Sequence, residues 1–174
     1  MVTTRHMATA LAAAILSVGA ASAAGQDTTA TRPSSALGLY GFGVRGGVDF
    51  EGEGQAVVSV AFDMGHLLTD RLRIRPTAEL GFLGSDNTYL ASAELIYRIL
   101  DDRETAVPYV GAGLGLWGRE ECATDDDCPG LWVQFALGFE IRIRDRIAWL
   151  VEYHPLDALR RQRILIGFTT RRGG

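Results

Sequence analysis

From Arg71 to Leu80 the chain alternates with a period of two. Arg71, Arg73, Arg75, Thr77 and Glu79 stand between Leu72, Ile74, Pro76, Ala78 and Leu80. Successive side chains of an extended strand point to opposite faces, so this spacing predicts a strand with one polar and one apolar side. The pattern recurs in eight segments, at about 38–49, 55–64, 70–83, 87–99, 105–118, 131–144, 146–154 and 162–171. Turn material such as Gly84-Ser85-Asp86-Asn87 and Arg144-Asp145-Arg146 separates them. Apolar spacing of three and four residues is sustained nowhere, so no amphipathic helix competes, although a short helical turn fits at 156–160. The chain reads as all-β.

The first residues, MVTTRHMATALAAAILSVGAASAAGQ, have the three parts of an export signal. Arg5 gives a basic start, Ala8 to Val18 an apolar stretch, and Ala21-Ser22-Ala23 a small-residue cleavage site. Residues 1–23 are therefore expected to be a cleaved signal peptide. Residues 24–36, rich in Thr, Ser and Ala, are expected to be a flexible lead-in to one domain spanning 37–172. After the leader no apolar run approaches about 18 residues, so no membrane-spanning helix is expected.

Net charge is −4, and all 17 basic residues are arginine. They are dispersed along the strands and form no basic patch, which argues against nucleic-acid binding. Guanidinium suits ion pairs removed from water, because it is weakly hydrated and bonds a carboxylate at two points. The two cysteines, Cys122 and Cys128, flank ATDDD in a polar loop and read as a disulfide in an exported chain. A zinc site would need two further ligands, and the neighbours are aspartates and Pro129.

Each strand divides into an apolar set and a set of small and charged residues. The apolar set includes Tyr40, Phe42, Val44, Val60, Phe62, Met64, Ile74, Leu80, Leu95, Tyr97, Val133, Phe135, Leu137, Trp149, Ile166 and Phe168. Alternation alone does not decide which set faces out, since a soluble barrel with an oily pocket has the same pattern. Three observations favour the apolar set outside. Glycines such as Gly111, Gly113 and Gly115 fall in the polar set, where they relieve crowding in a narrow lumen. The apolar set is bulkier than an eight-stranded interior readily holds. The charges nearly cancel, as buried charges must, because removing one partner is strongly destabilising. The expected interior network is Arg45, Asp63, Arg73, Arg75, Glu79, Glu94, Arg98, Glu140, Arg142, Glu152 and Arg163, with Asp49 also facing arginine.

Pro108-Tyr109-Val110-Gly111-Ala112-Gly113-Leu114-Gly115 resembles a strand common in small outer-membrane β-barrel proteins. The stretch from Phe135 to Tyr153, with Gly138-x-Glu140-x-Arg142, the Arg144-Asp145-Arg146 corner and Val151-Glu152-Tyr153, is similar to their closing hairpin. The resemblance, to the opacity-protein and OmpA-transmembrane-like group, covers about 37–171. It implies an eight-stranded antiparallel up-and-down transmembrane barrel in the outer membrane. Its implied partners are the lipid bilayer, lipopolysaccharide and the barrel-assembly machinery, and its implied state is a monomer. Strand lengths agree, since a tilted membrane strand needs about 9–11 residues. An even strand number puts both chain ends on one side and the longest loop, with the cysteines, on the other.

Catalytic candidates are few. His154, beside Glu152 and Asp157, is the nearest approach to a lipid-modifying site, but no serine follows, and it reads as a residue at the membrane rim. Asp125, Asp126 and Asp127 lack the alternate spacing of a calcium loop. Gly-x-Gly in the strands has no strand-turn-helix context for a nucleotide. The expectation is a non-enzymatic barrel without cofactor or metal, its role structural or in surface interactions, its lumen plugged by Arg/Glu pairs. The alternatives are a soluble exported barrel holding a small hydrophobic ligand, and a lipid A-modifying barrel enzyme.

Overall fold

The computed structural model describes residues 36–50, 54–84, 86–101, 103–120, 122, 128–156 and 159–170. The expected leader, the lead-in up to residue 35 and the last positions of the expected domain lie outside these residues. The described chain forms eight strands: β1 (Ala36–Asp49), β2 (Gln55–Leu67), β3 (Thr69–Phe82), β4 (Thr88–Arg98), β5 (Ala106–Arg119), β6 (Gly130–Arg144), β7 (Ile147–Leu156) and β8 (Arg161–Thr170). Each pairs antiparallel with the next, and β8 pairs with β1, so the sheet closes into an up-and-down barrel. Closure leaves no edge strand with unpaired backbone groups. The short helical turn expected at 156–160 falls partly outside the described residues; Leu156 closes β7 and Arg161 opens β8.

The apolar set faces outward. Phe42, Val60, Phe62, Leu95, Tyr97, Val133, Phe135, Leu137, Ile166 and Phe168 are all exposed, Leu137 to 48% and Phe168 to 56%. The alternate positions point into the lumen, where Arg45 and Glu94 are each 1% exposed. The period slips where the sheet is irregular. Register shifts fall between Leu37 and Gly41 in β1 and between Ala61 and His66 in β2. An extra residue in one strand reverses the parity beyond it. Leu37 and Leu39 are therefore exposed while Tyr40 and Met64, expected outside, are half-buried.

Large charged side chains fit in the lumen because glycines stand beside them on neighbouring strands. Arg45 lies opposite Gly167, Glu94 opposite Gly113 and Glu152 opposite Gly138. A Cβ at Gly138 would come within 2.6 Å of the Tyr109 ring, and one at Gly167 would run into the Val44 carbonyl across the β1–β8 seam. The second obstacle is backbone and has no rotamer to change. Gly167→Val is expected to destabilise the barrel by about 1–3 kcal/mol, the range for overpacking a filled interior. Urea unfolding of the refolded protein measures it, and an unchanged midpoint would show that the seam has slack.

Candidate functional site

The lumen carries the chemistry. β1, β3, β4 and β7 each bring a charged residue to its middle, and Glu152 on β7 is the hub. Its carboxylate accepts from the Arg45 and Arg75 guanidiniums and from the Tyr109 hydroxyl, and lies 2.9 Å from His154 Nε2. Arg75 Nε also donates to Glu94 at 2.7 Å, and Gln134 Nε2 donates to the other Glu94 oxygen at 2.7 Å. Arg45 Nη2 donates to Ser59 at 2.6 Å and reaches Glu79 at 3.5 Å.

Towards the loop end, Arg163 bonds Glu79 and, at 3.0 Å, Asp49, which also forms an ion pair with Arg161, Nε lying 3.4 Å from it. Above them Trp117 and Trp132 stack at 4.6 Å with planes 8° apart. The Arg161 guanidinium lies 5.9 and 5.3 Å from the two ring centres, a cation–π arrangement. Towards the end where β1 begins and β8 finishes, Arg73 bonds Asp63 at 2.5 Å, and Arg98 bonds Glu140 at 3.0 and 3.1 Å. Six guanidiniums (Arg45, Arg73, Arg75, Arg98, Arg161, Arg163) thus meet six carboxylates (Asp49, Asp63, Glu79, Glu94, Glu140, Glu152). A buried array of this kind persists only when the charges are paired and hydrogen-bonded.

Ten of the eleven residues expected in the network meet in this array, and Arg142 does not. It is exposed, its Nη1 reaching the Arg103 carbonyl at 3.4 Å. The cause is depth along the axis. β5 begins at Ala106, opposite Ile141, so at Arg142 strand β6 has outrun its neighbour and projects past the rim. His154 also departs from expectation, being 0% exposed inside the lumen and not at a membrane rim. From there it has no access to a lipid outside the wall. Asp157, its suggested companion, and Asp125, Asp126 and Asp127 lie outside the described residues. Cys122 and Cys128 are joined in a disulfide, Cα atoms 5.0 Å apart.

Sequence reasoning missed Tyr109, Arg161 and the tryptophan pair. The signal was present in the alternation, since Tyr109 and Trp117 share parity with Gly111, Gly113 and Gly115. The lumen also holds apolar groups, Leu90, Ile96, Leu150 and Leu165 among them, so it is a mixed core with a charged spine.

No protein-family model and no curated protein matches the chain. Solved structures do. The chain is similar to the Neisserial surface protein A, with a TM-score of 0.55 and 12% identity over 76% of this chain and 96% of that one. It is similar to the N-terminal β-barrel domain of Pseudomonas aeruginosa OprF, with a TM-score of 0.55 and 14% identity over 76% and 97%. A de novo designed transmembrane β-barrel matches with a TM-score of 0.52 and 19% identity over 78% and 97%. The chain has the fold of an eight-stranded transmembrane β-barrel. At these identities the likeness establishes fold alone.

Proposed function

We propose that the chain is an outer-membrane barrel, exported by a cleaved signal at 1–23 and led by a flexible segment that ends where β1 begins at Ala36. It works as a monomeric structural or surface-interaction protein. The observation that carries this reading is the orientation of the wall. Phenylalanine, leucine, isoleucine and valine cover the outside of every strand, and the ion pairs are inside. Exposed apolar area on this scale is stable in acyl chains and a severe aggregation hazard in water. Its partners are the lipid bilayer and lipopolysaccharide, with the barrel-assembly machinery required for insertion.

The arrangement also supports a lumen closed to large solutes. Three tiers of bonded side chains cross it, capped at the loop end by the tryptophans and Arg161. A soluble carrier of a hydrophobic ligand would need an oily lumen, which a spine of twelve charged groups does not provide. A lipid-modifying role would need a reactive group on the outer wall, and His154 points the other way. The reading is therefore non-enzymatic, with selective contacts made by the outer loops.

The test is fractionation of cells making the full-length product. The protein is expected in the outer-membrane fraction, resistant to carbonate and salt, and to migrate differently on gels before and after heating. Release by carbonate would sink the proposal. Vesicles reconstituted with it are expected to exclude sugars, and rapid swelling in sugar solution would refute the closed lumen.

A further inference from the structure

The hairpin that joins β6 to β7 concentrates positive charge outside the lumen. Arg142, Arg144 and Arg146 stand there with Asp145 as the one carboxylate among them, and all four are exposed. Among the described residues no ion pair joins any of the three arginines to a carboxylate. Arg142 reaches only the Arg103 carbonyl, at 3.4 Å. Of the described acids on the adjoining β4–β5 turn, Asp101 is engaged by Arg71 at 3.0 Å, and Glu104 pairs with none of the three.

The place of these arginines on the wall is what gives the cluster meaning. Ile143 is 57% exposed and Ile147 38%, both on the outward face, and they flank Arg144 and Arg146. Trp149, next along β7, shares that outward parity, since Ala148 and Leu150 are buried in the lumen. It meets Phe139 edge-on at 6.4 Å. Neighbouring residues of a strand are about 3.3 Å apart, so the guanidiniums stand where the apolar wall gives out. An arginine stem lies along apolar surface while its head stays in a polar layer. The turn itself is tight, Arg144 pairing directly with Ile147, whereas a long connection separates Arg119 from Gly130 at the other end. Short turns mark the periplasmic end of an outer-membrane barrel, where the leaflet is made of phospholipid.

We propose that Arg142, Arg144 and Arg146 form a docking site for the headgroup phosphate of an anionic phospholipid, whose acyl chains lie against Ile143, Ile147 and Trp149. The site rests on the outer-membrane reading of the wall, to which it adds a lipid class and a position. A guanidinium gives a phosphate two parallel N–H bonds, so the residue type suits the ligand. A zwitterionic headgroup offers the same phosphate but brings an ammonium that the cluster repels. A soluble phosphate gains nothing from the isoleucines, which only a lipid covers.

The experiment uses the full barrel folded into phosphatidylcholine vesicles that contain a minority of acyl-brominated phosphatidylglycerol or acyl-brominated phosphatidylcholine. Bromine quenches tryptophan on contact, and Trp149 is on the outer wall while Trp117 and Trp132 stack in the lumen mouth. Phosphatidylglycerol is expected to be enriched at Trp149 by about fivefold, the attraction of one basic side chain to an anionic surface. Arg142→Gln, Arg144→Gln and Arg146→Gln together are expected to bring the two lipids level. Arg144→Gln alone is expected to give an intermediate ratio, and decides the matter if the triple variant does not fold. Arg160→Gln, exposed at the opposite end, keeps the full ratio. Inorganic phosphate in place of chloride at equal ionic strength is expected to leave the ratio unchanged. A ratio abolished by phosphate assigns the arginines to a soluble anion and overturns the lipid site. Equal quenching by the two lipids in the parent also overturns it, and leaves the membrane wall standing. Quenching by neither lipid would instead refute the outer-membrane reading, and the site with it.

Discussion

Glu152→Gln is expected to be among the most damaging single changes in the protein, lowering stability by about 3–5 kcal/mol. The amide keeps the shape of the side chain and removes its charge. Arg45 and Arg75, both inside the wall, then lose the carboxylate they share, and one of the two oxygens that Tyr109 and His154 use becomes an NH2 group that cannot accept. Breaking a buried pair costs far more than the pair contributes, because the surviving charge stays out of water. At ordinary urea sensitivities such a loss moves the unfolding midpoint by more than about 1 M. Arg71→Gln is the matched control. Arg71 also bonds a carboxylate, Asp101 at 3.0 Å, but both side chains are exposed. An exposed pair contributes about 0–1 kcal/mol, so that variant should unfold close to the parent. If both variants shift equally, burial of the network is not what gives Glu152 its weight.

Leu137→Arg tests the outside of the wall with an effect of similar size. Leu137 is at the middle of β6, between Val110 on β5 and Tyr153 on β7, and its side chain faces away from the lumen. Arginine at the bilayer midplane of a barrel costs about 2–4 kcal/mol, falling to about 0–1 kcal/mol near the interfaces. Ile143→Arg, exposed at the end of the same strand, supplies the shallow comparison. Folding into lipid vesicles, scored by the gel shift on heating, should fall sharply for the first and little for the second. Indifference to Leu137→Arg would mean that this face meets water.

The alternation made most of the fold legible. Strand boundaries follow because charged and apolar residues keep step for ten or more positions, and the outward face follows from Gly113, Gly138 and Gly167, which are of use only in a crowded lumen. Parity tells which side of the wall a residue occupies. It does not tell how far along the axis the residue stands, and there the reading failed. Arg142 has the parity of Glu140 yet clears the rim, whereas His154 has the parity of Glu152 and is sealed inside, because β7 continues two residues further than its turn signals suggested. Tyr40 and Met64 were misplaced for another reason: a bulge shifts parity without leaving a mark in the pattern. Partner choice within the lumen was not readable either. Arg45 finds Glu152 two strands away across the seam, a pairing fixed by barrel closure and not by any local spacing.

Several of the bonds that fill the lumen are long in sequence. Arg45 and Glu152 are 107 positions apart, Arg163 and Asp49 are 114, and Arg163 and Glu79 are 84. A chain that has made only its hairpins can hold Arg73–Asp63 and Arg75–Glu94 but none of these three, and an unsealed sheet leaves Arg163 apart from both of its carboxylates. Full neutrality of the interior therefore arrives only when the first strand meets the last. Insertion ought to be all-or-none, with half-wound forms expelled from the bilayer by their own charge.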